Sequence, residues 1–305
     1  MPHIPHVLKV AAALAVLYSS WGSSYIANHF AIADMPPFLM TSARMLISAL
    51  LMWGISILQR DTTRPALRDL WRHFIVACPM IVFGSGFLAK SQETVSSSTA
   101  ALVLGVTPAC LLLGGWAIRR LPRPTLSQSI GLLIGFIGLA MISHQTRSDG
   151  RTTYPLGLWY LLICIGVWVV GTLYYHSFPN PLSTVRSVGL LFFFGGLQML
   201  VLGLLLGEGT RVHLSSIGGP AWLGFAALVL GASLGGFTSY FWLLRHSTPA
   251  IAISYEYVVP VIGLLLGWWL ADEPLNAPIL AACALTVLGA FFIMKQTKEA
   301  DPLAP

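Results

Sequence analysis

Ten stretches of apolar residues, each close to the twenty or so that cross a hydrocarbon core, alternate with short polar gaps. They run approximately over 7–27, 37–58, 73–92, 96–117, 126–144, 155–175, 184–206, 220–244, 250–270 and 277–294. The gaps hold turn-forming residues and most of the charge, as in Arg60-Asp61-Thr62-Thr63-Arg64-Pro65 and Ser148-Asp149-Gly150-Arg151. No gap is long enough for a soluble domain. The pattern predicts an all-α, polytopic membrane protein of ten transmembrane helices.

Composition agrees: of 305 residues, 56% are hydrophobic and only 9% charged, too little polar surface for a water-soluble globule. The net charge of +6 comes from scattered residues in the gaps and not from a dense basic face, so nucleic acid is not an expected partner. Its use is orientation. With the N-terminus inside, eleven basic residues from Lys9 to Lys298 fall in inner gaps and only Lys90, Arg147, Arg151 and Arg211 in outer ones. That excess predicts both termini in the cytoplasm. Cys78, Cys110, Cys164 and Cys283 sit in apolar runs without metal-ligand spacing, so neither a disulfide framework nor a cofactor is expected.

The chain also repeats itself. A shift of 152 residues lays Pro108, Leu112, Leu113, Gly115 and Trp116 over Pro260, Leu264, Leu265, Gly267 and Trp268, with Pro122 falling on Pro274. A shift of 142 lays Pro37 and Arg44 over Pro179 and Arg186. Two blocks in the same order predict two five-helix repeats, 1–146 and 147–305. An odd number of spans per half makes the repeats inverted, an arrangement typical of transporters that rock around a central site.

Trp21-Gly22-Ser23-Ser24-Tyr25, the Pro36-Pro37 pair, Arg44 and the tail from Tyr240 to Phe292 resemble the EamA-type transporters of the drug/metabolite transporter superfamily over nearly the whole chain. The resemblance implies ten helices in two inverted repeats, a bacterial inner membrane, and export of amino acids, other metabolites or toxic compounds. It also implies that the third helix contributes to a substrate pocket. Two departures stand out. The family commonly closes the fourth helix of each repeat with Leu-Gly-Glu; here the second repeat keeps an acid in Asp272-Glu273-Pro274, whereas the first reads Ile118-Arg119-Arg120-Leu121. The other is Glu256, where such sequences usually carry a small or apolar residue.

Glu256 is the first functional candidate, because an ionisable group inside a span faces a cavity or a partner. In a helix starting at Ala250 it would lie about 9 Å from the start. It could exchange a proton or hold a cationic substrate, or else form a structural pair with Arg186 or His246. Trp21, Ser24, Tyr25, Trp168, Tyr240 and Tyr255 are further candidates for a cavity suited to amphipathic or cationic organic molecules. Glu93 joins them through the resemblance, against the simpler reading of an exposed pair with Lys90. Pro108 and Pro260 predict helix kinks. Arg44 could bind an anionic substrate, but a structural or snorkelling role is favoured. Gly131, Gly135 and Gly138 predict close helix packing, which leaves the oligomeric state open.

No Walker motif, HExxH, GxSxG or paired intramembrane aspartates occur in the sequence. The expectation is a secondary transporter, not an enzyme, exporting small organic molecules (amino acids, metabolites or drugs) by alternating access, with proton coupling as one option. The alternative is a membrane-embedded enzyme acting on a lipid or small metabolite. Its partners are a small-molecule substrate and the lipid bilayer.

Overall fold

The computed structural model describes residues 5–61, 63–118, 123–148, 155–175, 177, 180–247, 249–252 and 254–294. Within them the chain makes ten apolar spans: α1 His6–Asp34, α2 Pro37–Leu58, α3 Leu67–Ser91, α4 Ser97–Ala117, α5 Leu126–Ser148, α6 Pro155–Tyr175, α7 Thr184–Leu205, α8 Gly219–His246, α9 Tyr255–Ala271 and α10 Ala277–Met294. Seven are long and apolar enough to cross a membrane by length and composition alone; α5, α9 and α10 carry shorter apolar segments. Arg119, Arg120, Arg151, Lys295 and Lys298 of the charge count, with Leu121, Pro122 and Pro179 of the repeat, lie outside the described residues.

Helix bounds depart from the apolar runs where polar groups intervene. α3 begins at Leu67, ahead of its apolar run, because the Asp69 carboxylate accepts the Ala66 N–H at 3.1 Å and closes the first turn. α9 does not begin at Ala250. A short turn, Pro249–Ala252, precedes it, and the helix proper starts at Tyr255. Ser254 causes the break: its hydroxyl donates to the Ile251 carbonyl at 2.6 Å and shares a 2.7 Å bond with the Tyr18 hydroxyl. Side-chain bonds of this kind compete with the helical ladder.

The 142-residue register also fails in detail. Arg44 lies seven residues past the start of α2, but Arg186 only two past the start of α7. A turn in which Asn180 accepts the Leu182 N–H at 3.1 Å and Ser183 caps the helix occupies the intervening residues.

Two compact units form, each drawing on both halves of the sequence. One comprises Met1–Ile26, Thr94–Tyr154 and Ser239–Pro305, and so holds α4, α5, α9 and α10. In it α5 and α10 touch backbone to backbone: a Cβ added at Gly131 would stand 2.7 Å from the Gly289 carbonyl, and one at Gly138 3.1 Å from that of Ala282. α4 and α9 run antiparallel, with Gly105 against Pro260, Ala101 against Gly263 and Ser98 against Gly267. Glu273 fastens their ends. Its Oε1 accepts the Ser97 N–H and hydroxyl at 2.8 and 2.7 Å, and Oε2 accepts the Ser98 N–H at 2.8 Å, capping the start of α4 with a buried carboxylate. Asp272, in the left-handed region at φ 50°, makes the turn that delivers it.

The other unit comprises Ala27–Glu93 and Pro155–Thr238, and so holds α2, α3, α6, α7 and most of α8. Polar groups bind its helices. The Ser42 hydroxyl donates to Gly196 O at 2.8 Å, His73 Nε2 meets the Ser187 hydroxyl at 2.8 Å, and Glu208 accepts the Leu39 N–H at 2.9 Å to cap α2. Arg186 donates to Ser56 at 3.0 Å and pairs with Asp61 at 3.3 Å, which settles its partner within this unit. Bonds from the Ser183 hydroxyl, then from the Thr63 hydroxyl and N–H, hold the Asp61 carboxyl down at about 2. α3 and α8 each widen into a π-helix, over Cys78–Gly86 and Leu228–Phe237, a form often found at functional sites.

Candidate functional site

Five sequence candidates meet in the first unit. Trp21 and Tyr25, one turn apart on α1, stand beside Tyr240 from the end of α8 and Tyr255 from the start of α9. The Trp21 ring lies 4.7 Å from Tyr255, edge to face, and 5.2 Å from Tyr240; Tyr240 and Tyr255 lie 5.8 Å apart at 89°. Tyr25 flanks Tyr255 and packs over Gly263. The Trp21–Tyr255 and Tyr240–Tyr255 contacts are edge to face, an arrangement aromatic rings prefer.

Glu256 enters beside this cluster as the second residue of α9 and is 5% exposed. Its carboxylate is within hydrogen-bonding reach of the Tyr255 hydroxyl. A helix N-terminus favours an anion, so the break at Ser254 does more than end a turn: it places Glu256 where the backbone dipole supports its charge. Pro260 adds to the negative character. It has no N–H to offer the carbonyl four residues back, and that carbonyl belongs to Glu256. In α4 the corresponding Pro108 spares the Leu104 carbonyl, which accepts the Thr107 hydroxyl instead; Val259 stands in the place of Thr107 and has no hydroxyl to give. Among the described residues of this unit, no basic side chain forms an ion pair with Glu256.

The remaining candidates sit differently. Ser24 donates to the Trp21 carbonyl at 2.7 Å and so serves its own helix. Pro108 opens the second segment of α4, which is interrupted at Gly105 and Val106, whereas Pro260 lies inside an unbroken helix. Glu93 and Trp168 belong to the second unit. Glu93 pairs with Lys90 and, at 3.4 Å, with Arg211. Trp168 packs on Phe237 at 6.1 Å and covers Gly84. Arg44 does not snorkel: it is 6% exposed and donates from Nε to Ser233 at 2.8 Å.

Sequence reasoning gave Glu273 and Ser254 no role of their own and missed Tyr18. An acid placed directly after a long apolar helix was the available signal for the cap. Nothing in the sequence announced that Tyr18 and Ser254, 236 residues apart, would share a bond.

Ten spans in two inverted halves are the architecture of a membrane transporter. The profile of the EamA-like transporter family matches the chain twice, over residues 9–144 and 155–295, and the chain belongs to that family. It is 28% identical over 275 residues to the uncharacterized inner membrane transporter YedA of Escherichia coli K12, covering 88% of this chain and 85% of that protein. An uncharacterized transporter of Archaeoglobus fulgidus is 24% identical over 298 residues, covering 95% of this chain and all of its own. A solved crystal structure superimposes with a TM-score of 0.65 at 18% identity, covering 97% of this chain and 99% of that one.

Proposed function

We propose that the protein is a secondary active transporter of an inner membrane, with both termini in the cytoplasm, and that it exports small organic molecules by alternating access with Glu256 as its proton- or cation-binding group. The observation that carries this reading is a buried carboxylate at a helix N-terminus, set beside the rings of Trp21, Tyr25, Tyr240 and Tyr255. A proton on Glu256 and an organic cation against the same carboxylate exclude each other by charge, which is the logic of exchange. The rings supply packing and cation–π attraction, worth about 2 kcal/mol when desolvated. Family membership and the inner-membrane name of a relative support the compartment, and the excess of basic residues in alternate gaps supports the orientation.

The test uses the purified protein in vesicles with an imposed pH gradient and ethidium as the probe cation. Wild-type protein should accumulate ethidium against the gradient, with a rate that varies with pH. Glu256→Gln should bind the probe weakly and lose the pH dependence. An unchanged rate and pH profile in Glu256→Gln removes the proposed role of Glu256, and absence of gradient-driven flux of ethidium and of a panel of amino acids removes the export reading.

A further inference from the structure

We propose that Arg44, Ser48 and Ser233 form an anion-binding site within the second unit, one that takes a small monovalent anion such as chloride or the carboxylate of an organic acid. Arg44 lies well inside α2, buried, and stays charged because a guanidinium does not give up its proton in proteins. A buried cation needs a counter-charge. The unit contains five carboxylates, and each is committed elsewhere. Asp34 accepts the Gly218 N–H, Asp61 pairs with Arg186, and Asp69 accepts the Ala66 N–H. Glu93 pairs with Lys90 and Arg211, and Glu208 caps α2 at Leu39. Among the described residues no carboxylate pairs with Arg44.

The second observation is Ser48. It lies one turn beyond Arg44 on the same stripe of α2, it is wholly buried, and its hydroxyl has no partner. A buried helical serine or threonine ordinarily bonds the carbonyl a turn back, as Thr41 bonds Pro37 O at 2.8 Å. Ser48 does not. A turn further along, Met52 meets the Thr238 hydroxyl, so the stripe from Arg44 to Met52 faces α8 at both ends. Ser233 lies in the π-helical part of α8, opposite this stripe, and after accepting from Arg44 Nε it retains its own O–H.

The set is a guanidinium with both Nη groups beyond its bond to Ser233, plus two hydroxyls. Forked N–H donors and O–H donors recognise an anion through charge-assisted hydrogen bonds. A cation would be repelled, and a neutral ligand would leave the guanidinium uncompensated. The site stands on observations separate from those that concern Glu256.

Equilibrium binding of radiolabelled chloride and radiolabelled acetate to the purified full-length protein in micelles, with gluconate holding ionic strength constant, tests the site. Wild-type protein should bind one or both saturably. Chloride binding that acetate does not displace assigns the site to the inorganic ion, and displacement by acetate assigns it to carboxylates as well. Arg44→Gln should abolish binding. Ser48→Ala should weaken it by about tenfold, the loss of one hydrogen bond to a charged group, with an unchanged melting temperature. No saturable binding of either anion, or undiminished binding in Arg44→Gln, overturns the proposal. Should Arg44→Gln fail to fold, unchanged affinity in a folded Ser48→Ala protein overturns it equally.

Discussion

α4 and α9 are corresponding helices of the two halves, packed antiparallel in one unit, and the same proline pattern has opposite consequences in them. In α4 the perturbation is neutralised. The helix breaks at Gly105 and Val106, Pro108 opens the next segment, and the Thr107 hydroxyl takes the Leu104 carbonyl that Pro108 leaves without a donor. In α9 the helix continues through Pro260, no hydroxyl stands at position 259, and the carbonyl that Pro260 leaves without its helical donor is that of Glu256. Inversion thus gives the protein two copies of one backbone device. One is closed off with a side chain and is structural; the other remains polar and carries an acid. The two copies therefore leave different polarity at the same place in the helix.

Four tests, the third a pair of mirror substitutions, bear on that contrast, beginning with the one that should cost most. Glu273→Ala removes three hydrogen bonds from the start of α4 and leaves buried N–H groups of Ser97 and Ser98 unpaired; a loss of about 3 kcal/mol in equilibrium unfolding in micelles is expected. A cost as small for Glu273→Ala as for Glu256→Gln would abolish the distinction between a structural and a functional acid. Gly263→Val drives a side chain into Ala101, whose Cβ would lie 2.6 Å from the added carbon, and should cost about 2 kcal/mol by overpacking the seam. Thr107→Val unpairs the Leu104 carbonyl and should cost about 1 kcal/mol, while its mirror, Val259→Thr, should leave stability nearly unchanged and reduce ethidium transport. Equal transport in Val259→Thr and wild type would show that the Glu256 carbonyl plays no part.

The fourth measurement is a reference from the other unit. The Asp61 carboxyl is held at about 2, below its unfolded value of about 3.9. Its stabilising contribution is therefore fully present above about pH 4 and lost as pH falls toward 2. The melting temperature should fall across that window, and less steeply in Asp61→Asn. A curve of Asp61→Asn that coincides with wild type would remove Asp61 as the source.

The spans themselves were legible in the sequence, because continuous apolar runs bounded by charge have few alternatives in lipid. So was the pairing of Trp21 with Tyr25, one turn apart on a single helix. What stayed hidden depends on groups that meet only after folding. The start of α9 was misplaced because Ser254 breaks the helix with the help of Tyr18, which apolar periodicity does not register. Arg44 could not be matched to Ser233, 189 residues away, and the Arg44–Arg186 register overlooked a turn before α7. Tyr240 and Tyr255 were plausible singly, but their junction with Trp21 needed three helices in place.

The Glu273 cap also has a mechanical meaning. It ties the last turn of α9 to the first turn of α4, and glycine contacts continue the join along the pair. Two helices fastened in this way cannot slide past each other; they behave as one strut, stiff at the Glu273 end. The interruptions at Gly105 and Ser254 lie toward the opposite end. Glu256 sits at the end of α9 remote from that clamp, beside the aromatic rings and not in the clamped seam.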